Sequence, residues 1–188
     1  MRVTKTLNAA EQLLQIADSG AVLMLGYAGA MAAHSGESWF GVAVGFRMLQ
    51  AAGSALSSHK LWDRDDLFVV SGHPGQGVRD AIEYVTCCVS RGRYRVESEN
   101  AGQGCRRGMR FAWEVGDGVS VASVQLRDDF VPEEFYGLLD RRGTPAEGPH
   151  GARRLAELKQ RLAVQLWDEP PARLFNVELR KTRAVCHA

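Results

Sequence analysis

The chain has 188 residues, with 23 Lys and Arg against 22 Asp and Glu. That length suits one domain with a sizeable core, and 45% hydrophobic with 24% charged residues excludes a wholly disordered chain. A net charge of +1 excludes nucleic-acid binding through bulk electrostatics. Four cysteines (Cys87, Cys88, Cys105 and Cys186) form no C-x-x-C pair, so a zinc ribbon or a thioredoxin-type motif is excluded too.

Met1 to Gln15 interleaves charged and apolar residues without the apolar stretch of a secretion signal. Asn8 and Glu11 suit the capping box of a helix carrying Leu13, Leu14 and Ile16 on its apolar face and ending at Ser19-Gly20. The apolar run Ala21 to Ala33 is shorter than the roughly 20 residues of a spanning helix and reads as a buried helix or a strand plus helix. With free thiols and no membrane segment, a cytoplasmic protein is the expectation.

His34 to Phe40 reads as a loop, and Gly41 to Leu56 as a helix with Val44, Phe46, Met48, Leu49 and Ala52 at helical spacing. Gly41 and Gly45 share one face of it, open to close approach by another backbone. Leu67 to Val70 is a buried strand, Ser71 to Gly77 a loop, and Val78 to Val89 a helix burying Val78, Ile82, Val85 and Cys88. An extended segment follows at Arg91 to Arg95. Met109 to Val115 and Val119 to Leu126 flank Gly116-Asp117-Gly118 as a hairpin. A helix starts at Val131-Pro132-Glu133-Glu134, Gly143 to Gly151 is a linker, and Ala152 to Trp167 is an amphipathic helix. Past Pro170-Pro171, Leu174 to Val185 holds a strand-like stretch. The order predicts an α+β fold, an antiparallel or mixed sheet with packed helices.

Two loops at helix starts draw the chemistry. Backbone N–H groups there suit anions, and His34, Glu37 and His73 are residue types that ligate metals. Ser71 to Gly77 lacks the Lys and Ser/Thr of a phosphate-binding P-loop.

Taken together, the loops and their helices carry a resemblance. Gly41-Val-Ala-Val-Gly45-Phe-Arg47-Met48 is similar to the segment G-x-x-x-G-[YF]-R-[MA] of the FmdE-like family, which is named after a component of formylmethanofuran dehydrogenase. Asp80-Ala-Ile-Glu-Tyr-Val-Thr-Cys-Cys88, with Arg91-Gly92-Arg93, resembles that family's D-A-I-Q-x-x-x-G-C-T-x-G-[KR]-G. The likeness runs over roughly residues 8 to 180. It implies a motif-bearing α+β core over 1–130, with a helical C-terminal extension over 131–188 packing on the core or on a partner subunit. It also implies a homodimer and a site drawing on Ser35, Gly36, Trp39, Arg47, Gly77, Asp80 and Cys88.

The departures carry as much information. The family is expected to bind a metal, usually taken to be zinc, through H-G-H-x-C-P and a cysteine three residues before the matched aspartate. Here those places hold Ser35, Glu37, Trp39 with Phe40, and Gly77; of the first motif only Gly36 remains. Cys87 stands in the place of the second block's glycine. Two readings are open. In one, the metal is lost and an aromatic-lined pocket takes a small organic or anionic ligand. In the other, His34, Glu37 and His73 rebuild a site for zinc or another divalent metal, with Glu37 as ligand or base.

Arg47 and Asp80 invite an Arg–Asp ion pair, and Cys88 reads as a small core residue. The arginines between Arg91 and Arg110, and again from Arg153 to Arg183, suit an anionic ligand or RNA, or else solvated faces balanced by acids. Three functions therefore stand. One is an FmdE-like accessory or cofactor-binding protein of one-carbon or molybdenum- or tungsten-linked redox metabolism, with a redox enzyme as a partner. The others are a metal-dependent enzyme acting on water or a carbonyl, and a structural dimer that binds an anion.

Overall fold

The computed structural model describes residues 12–36, 39–97, 99 and 104–182. Two strands open it, β1 (Leu13–Asp18) and β2 (Ala21–Gly26), paired antiparallel. The helix expected over this stretch is instead a hairpin, for a physical reason. Leu14 and Ile16 are buried while Leu13 and Gln15 are exposed, a period of two. Ser19 and Gly20 both hold positive φ, 49° and 84°, which suits the tight primed turns of two-residue hairpins. The capping pair Asn8 and Glu11 lies outside the described residues.

After β2 the chain turns into α1 (Tyr27–Ala33), so Ala21 to Ala33 is a strand plus a helix. Next come α2 (Trp39–Leu56), β3 (Phe68–Ser71), α3 (Gln76–Thr86), β4 (Tyr94–Val96), β5 (Ala112–Gly116) and β6 (Ser120–Leu126). The C-terminal portion holds α4 (Glu133–Arg141), a 3₁₀ turn (Pro145–Glu147), α5 (Gly151–Gln165), α6 (Pro171–Leu174) and β7 (Phe175–Lys181). β3 to β7 form one sheet in the order β4-β3-β5-β6-β7. Only the β3–β4 pairing is parallel, bridged by α3; the other neighbours run antiparallel. The fold is α+β with a mixed sheet.

The helix α2 is the axis of the molecule. Phe46, Met48, Leu49, Val42 and Val44 are fully buried, and the helix lies against α3, β6, α5 and α1. It meets α3 through its glycines. A Cβ at Gly41 would sit 3.2 Å from Gly77 Cα, and one at Gly45 would sit 3.0 Å from Ala81 Cβ. The helix α3 ends at Thr86, earlier than its apolar spacing suggested, with Cys87 in the left-handed region at φ 55°. Buried Arg64 holds this end: Nε donates to Val85 O at 2.8 Å and Nη2 to Tyr84 O at 2.8 Å. No helix among the described residues is long and apolar enough to cross a membrane.

Candidate functional site

Where α2 and α3 begin, several of the singled-out residues meet. His34 follows the end of α1, its N–H donating to Met31 O, so the chain leaves that helix with the imidazole turned onto α3. His34 Nδ1 lies 2.7 Å from Asp80 Oδ2, and the His34 side chain is 3% exposed. A carboxylate only accepts, so Nδ1 carries the hydrogen and Nε2 is the second, inward nitrogen. That atom is buried and has no hydrogen-bond partner among the described residues. Gly36 closes over it: a Cβ there would sit 2.6 Å from His34 Nε2.

Asp80 stands one turn inside α3 and is held from both sides. Gln76 Nε2 donates to its Oδ1 at 3.1 Å, and Arg79 Nη1 lies 3.8 Å from the same oxygen. The Gln76–Asp80 contact is an i, i+4 pair, which makes it legible from spacing once the helix start is known. Trp39 opens α2 with its ring 6.1 Å from His34, edge-on, and is 41% exposed. Ser35 is exposed beside it. Together these place an indole face, a guanidinium, a carboxylate-oriented imidazole and the starts of two helices on one edge of the molecule.

The other expected residues lie elsewhere. Glu37 falls outside the described residues. Arg47 sits two turns further along α2, about 12 Å from Trp39 at 1.5 Å per residue, and it does not pair with Asp80. Its Nε donates to Leu166 O at 3.0 Å, its Nη1 to Gln50 Oε1 at 2.9 Å and its Nη2 to Glu169 O. The guanidinium also stacks 4.7 Å from the Trp167 ring. It borders a cavity of ≈ 550 Å³ between α2, β1 and the α5–α6 turn, lined also by Leu14, Ser54, Trp167 and Pro171. Asp80 takes His34 as its partner because α1 delivers the imidazole there, a long-range placement without local signature. Cys88 is fully buried at the far end of α3, Sγ donating to Leu67 O at 3.4 Å.

His73 occupies a third place. Gly75 N donates to its Nδ1 at 3.0 Å, so Nε2 carries the hydrogen and offers no lone pair to a metal. Its ring packs on Phe111 at 4.7 Å and stacks near-parallel to Trp113 at 6.5 Å. Burial pulls its pKa down to about 4. The thiol of Cys105 lies against the same Gly75, 3.1 Å from where a Cβ would stand, and burial raises its pKa.

The metal implied by the resemblance can be tested against the residues in those places. An indole at Trp39 has no lone pair to give, and a Cβ at Gly77 would meet Val42 N at 2.9 Å. The family's donor set does not fit here, because the helices have closed on the space a cysteine would need. Among the described residues, no three His, Cys, Asp or Glu side chains gather in metal-holding geometry. Several of the arginines are engaged by acids, Arg91 with Asp18 and Asp65, Arg107 with Glu133 and Asp140, Arg110 with Glu97, Arg154 with Glu134, while Arg93 donates to the carbonyls of Arg64 and Asp65. No protein-family model matches the sequence, and no curated protein matches it.

Proposed function

We propose that this chain is an FmdE-like accessory protein that binds a small planar anion where α2 and α3 begin, without catalysing a reaction on it. The observation that supports this best is the buried His34–Asp80 pair at 2.7 Å beside an exposed Trp39. A flat apolar face supplies contact area, and backbone N–H groups of two helix starts with Arg79 supply positive potential. Asp80 fixes the imidazole and with it the loop that carries Ser35 and Gly36. The link to one-carbon or molybdenum- or tungsten-dependent redox metabolism rests on the resemblance of the two sequence blocks, as does a homodimer; a cytoplasmic setting rests on the free thiols.

The test uses the emission of Trp39, since Trp62, Trp113 and Trp167 are buried. Titration with benzoate, a planar carboxylate, quenches the wild type and leaves Trp39→Phe silent; inorganic phosphate separates flat from merely anionic recognition. No response to either probe removes the reading.

A second reading has its own support in the orphaned Nε2 of His34. A carboxylate that orients an imidazole is the usual outer partner of a metal-bound histidine. In that reading His34 and Glu37 hold a divalent ion that polarises water or a carbonyl. Stoichiometric zinc in the purified chain, lost in both His34→Ala and Glu37→Ala, would replace the first reading with this one.

A further inference from the structure

The sheet ends in an open edge. β7 pairs with β6 on one side and with nothing among the described residues on the other. Two hydrogen bonds fix which of its residues face that edge. Thr182 N donates to Val119 O at 2.8 Å, and Arg127 N to Leu174 O at 3.0 Å. Hydrogen-bonded pairs alternate along an antiparallel ladder, so Asn176, Glu178 and Arg180 turn their backbone groups toward β6. Phe175, Val177, Leu179 and Lys181 turn theirs outward.

The side chains divide just as cleanly. Val177 and Leu179 stand opposite Val124 and Ala122, both buried, so they lie on the core face of the sheet. Yet they are 38% and 48% exposed, although α2 and α6 reach this strand. Glu178 and Arg180 lie on the opposite face, where Arg180 Nη2 donates to Glu114 Oε1 at 2.6 Å and to Ser123 Oγ at 2.8 Å.

We infer that β7 is the surface through which two copies of this chain join their sheets, antiparallel about a two-fold axis at Leu179. This rests on the homodimer reading above and assigns its interface. A two-fold normal to the sheet keeps each face on its own side, so the register is set by the residue on the axis. Centring on Glu178 opposes two carboxylates, and centring on Arg180 opposes two guanidiniums. Centring on Val177 sets Glu178 against Asn176. Centring on Leu179 places Glu178 opposite Arg180 of the second copy twice, at the narrow non-hydrogen-bonded positions where side chains lie closest. The outward backbone groups of Val177, Leu179 and Lys181 then meet their counterparts in hydrogen-bonded pairs. Leu179 meets its own copy on the core face, and the exposed apolar overhang is covered. The β1–β2 hairpin also presents an edge, with Val22 and Met24 exposed, but it carries no charges that select a register.

Sedimentation equilibrium of the full chain, with Glu178→Arg, Arg180→Glu and the double swap, tests the register. Wild type is a dimer; each single variant weakens it roughly tenfold or more, and the double swap restores it. Rescue by the swap separates interface loss from misfolding. A cross-link gives a second test, in a Cys186→Ser background under oxidised glutathione. Leu179→Cys forms a covalent dimer, because only a residue on the axis meets itself at about 5.5 Å between Cα atoms. Val177→Cys does not. A dimer indifferent to all these changes overturns the interface and leaves the dimer standing; a wild type that stays monomeric overturns both.

Discussion

Gly41 and Gly77 touch backbone to backbone: a Cβ on Gly77 would lie 2.9 Å from Val42 N and 3.2 Å from Gly41 Cα. The first block of the resemblance therefore meets the start of α3, three residues before the second block, through the absence of side chains. Main chain cannot yield as a side-chain tip can, so Gly77→Ala loses about 1–2 kcal/mol of stability despite alanine's better helix propensity. Gly108, with open space around its Cβ position and no positive φ, is the control. Gly108→Ala shifts the urea midpoint by less than about 0.5 kcal/mol-equivalent. Equal effects at the two positions would mean that the helices are not in contact here.

His73 gives the fold a dependence on pH. Burial lowers its pKa from 6.5 to about 4, so the folded state holds it neutral. Between these values the unfolded chain binds the additional proton. The stability from this group is complete above about pH 6.5 and is lost as pH falls toward 4, at about 1.4 kcal/mol per pH unit and about 3 kcal/mol in all. Carboxylates titrate near the lower end, so the measurement is a difference. Urea midpoints of wild type and His73→Gln, taken from pH 7.5 to 5, converge as the pH drops. Parallel curves would show that His73 is not the group responsible.

Arg47 is a tie between α2 and the end of α5. Its guanidinium serves Leu166 O, Glu169 O and Gln50 Oε1 while stacking on Trp167. Arg47→Ala leaves buried Leu166 O without its donor and removes the stack, costing about 2–4 kcal/mol. Arg47→Lys recovers less than half, because an ammonium cannot reproduce the planar fork. With Asp80 engaged by His34 instead, a double-mutant cycle of Arg47→Ala and Asp80→Ala gives a coupling below about 0.5 kcal/mol. A coupling above 1 kcal/mol would restore the Arg–Asp pair.

The elements legible in the sequence are those whose cause is local. The α2 face, the buried strand at β3 and the β5–β6 hairpin follow from periodicity and turn residues, and the glycine contact of α2 from spacing alone. Leu13 to Gly20 misled because Leu13, Leu14 and Ile16 fit either period, and Ser19-Gly20 stops a helix as readily as it closes a hairpin. Only the tertiary partner decides: Ala17 N donates to Trp62 O, and Trp62 Nε1 to Gln15 O at 2.7 Å. The site shows the same limit. Its loops could be named, but His34 reaches Asp80 across 46 positions of sequence, and His73 turns inward to Phe111 and Trp113. Arg64, buried and capping α3 from a turn, had no signal at all.

Cys87 and Cys88 are neighbours with opposite fates. Cys87 holds φ 55° at the end of α3, a conformation strained for any side chain, and it stands where the FmdE pattern has glycine. Cys87→Gly therefore stabilises the fold by about 0.5–1 kcal/mol, read as a raised urea midpoint; a loss would mean that its thiol packs. Cys88 is fully buried, its Sγ on Leu67 O, and burial raises its pKa. The thiolate is the reactive form, so access and ionisation both protect it. In a Cys105→Ser, Cys186→Ser background at pH 8, an aromatic disulfide reagent labels half-exposed Cys87 quickly. It reaches Cys88 only after guanidinium unfolds the chain, and Cys88→Ser abolishes that slow label. Fast labelling of Cys88 in the native chain would make it accessible from solvent and return it to the ligand site that the resemblance implies.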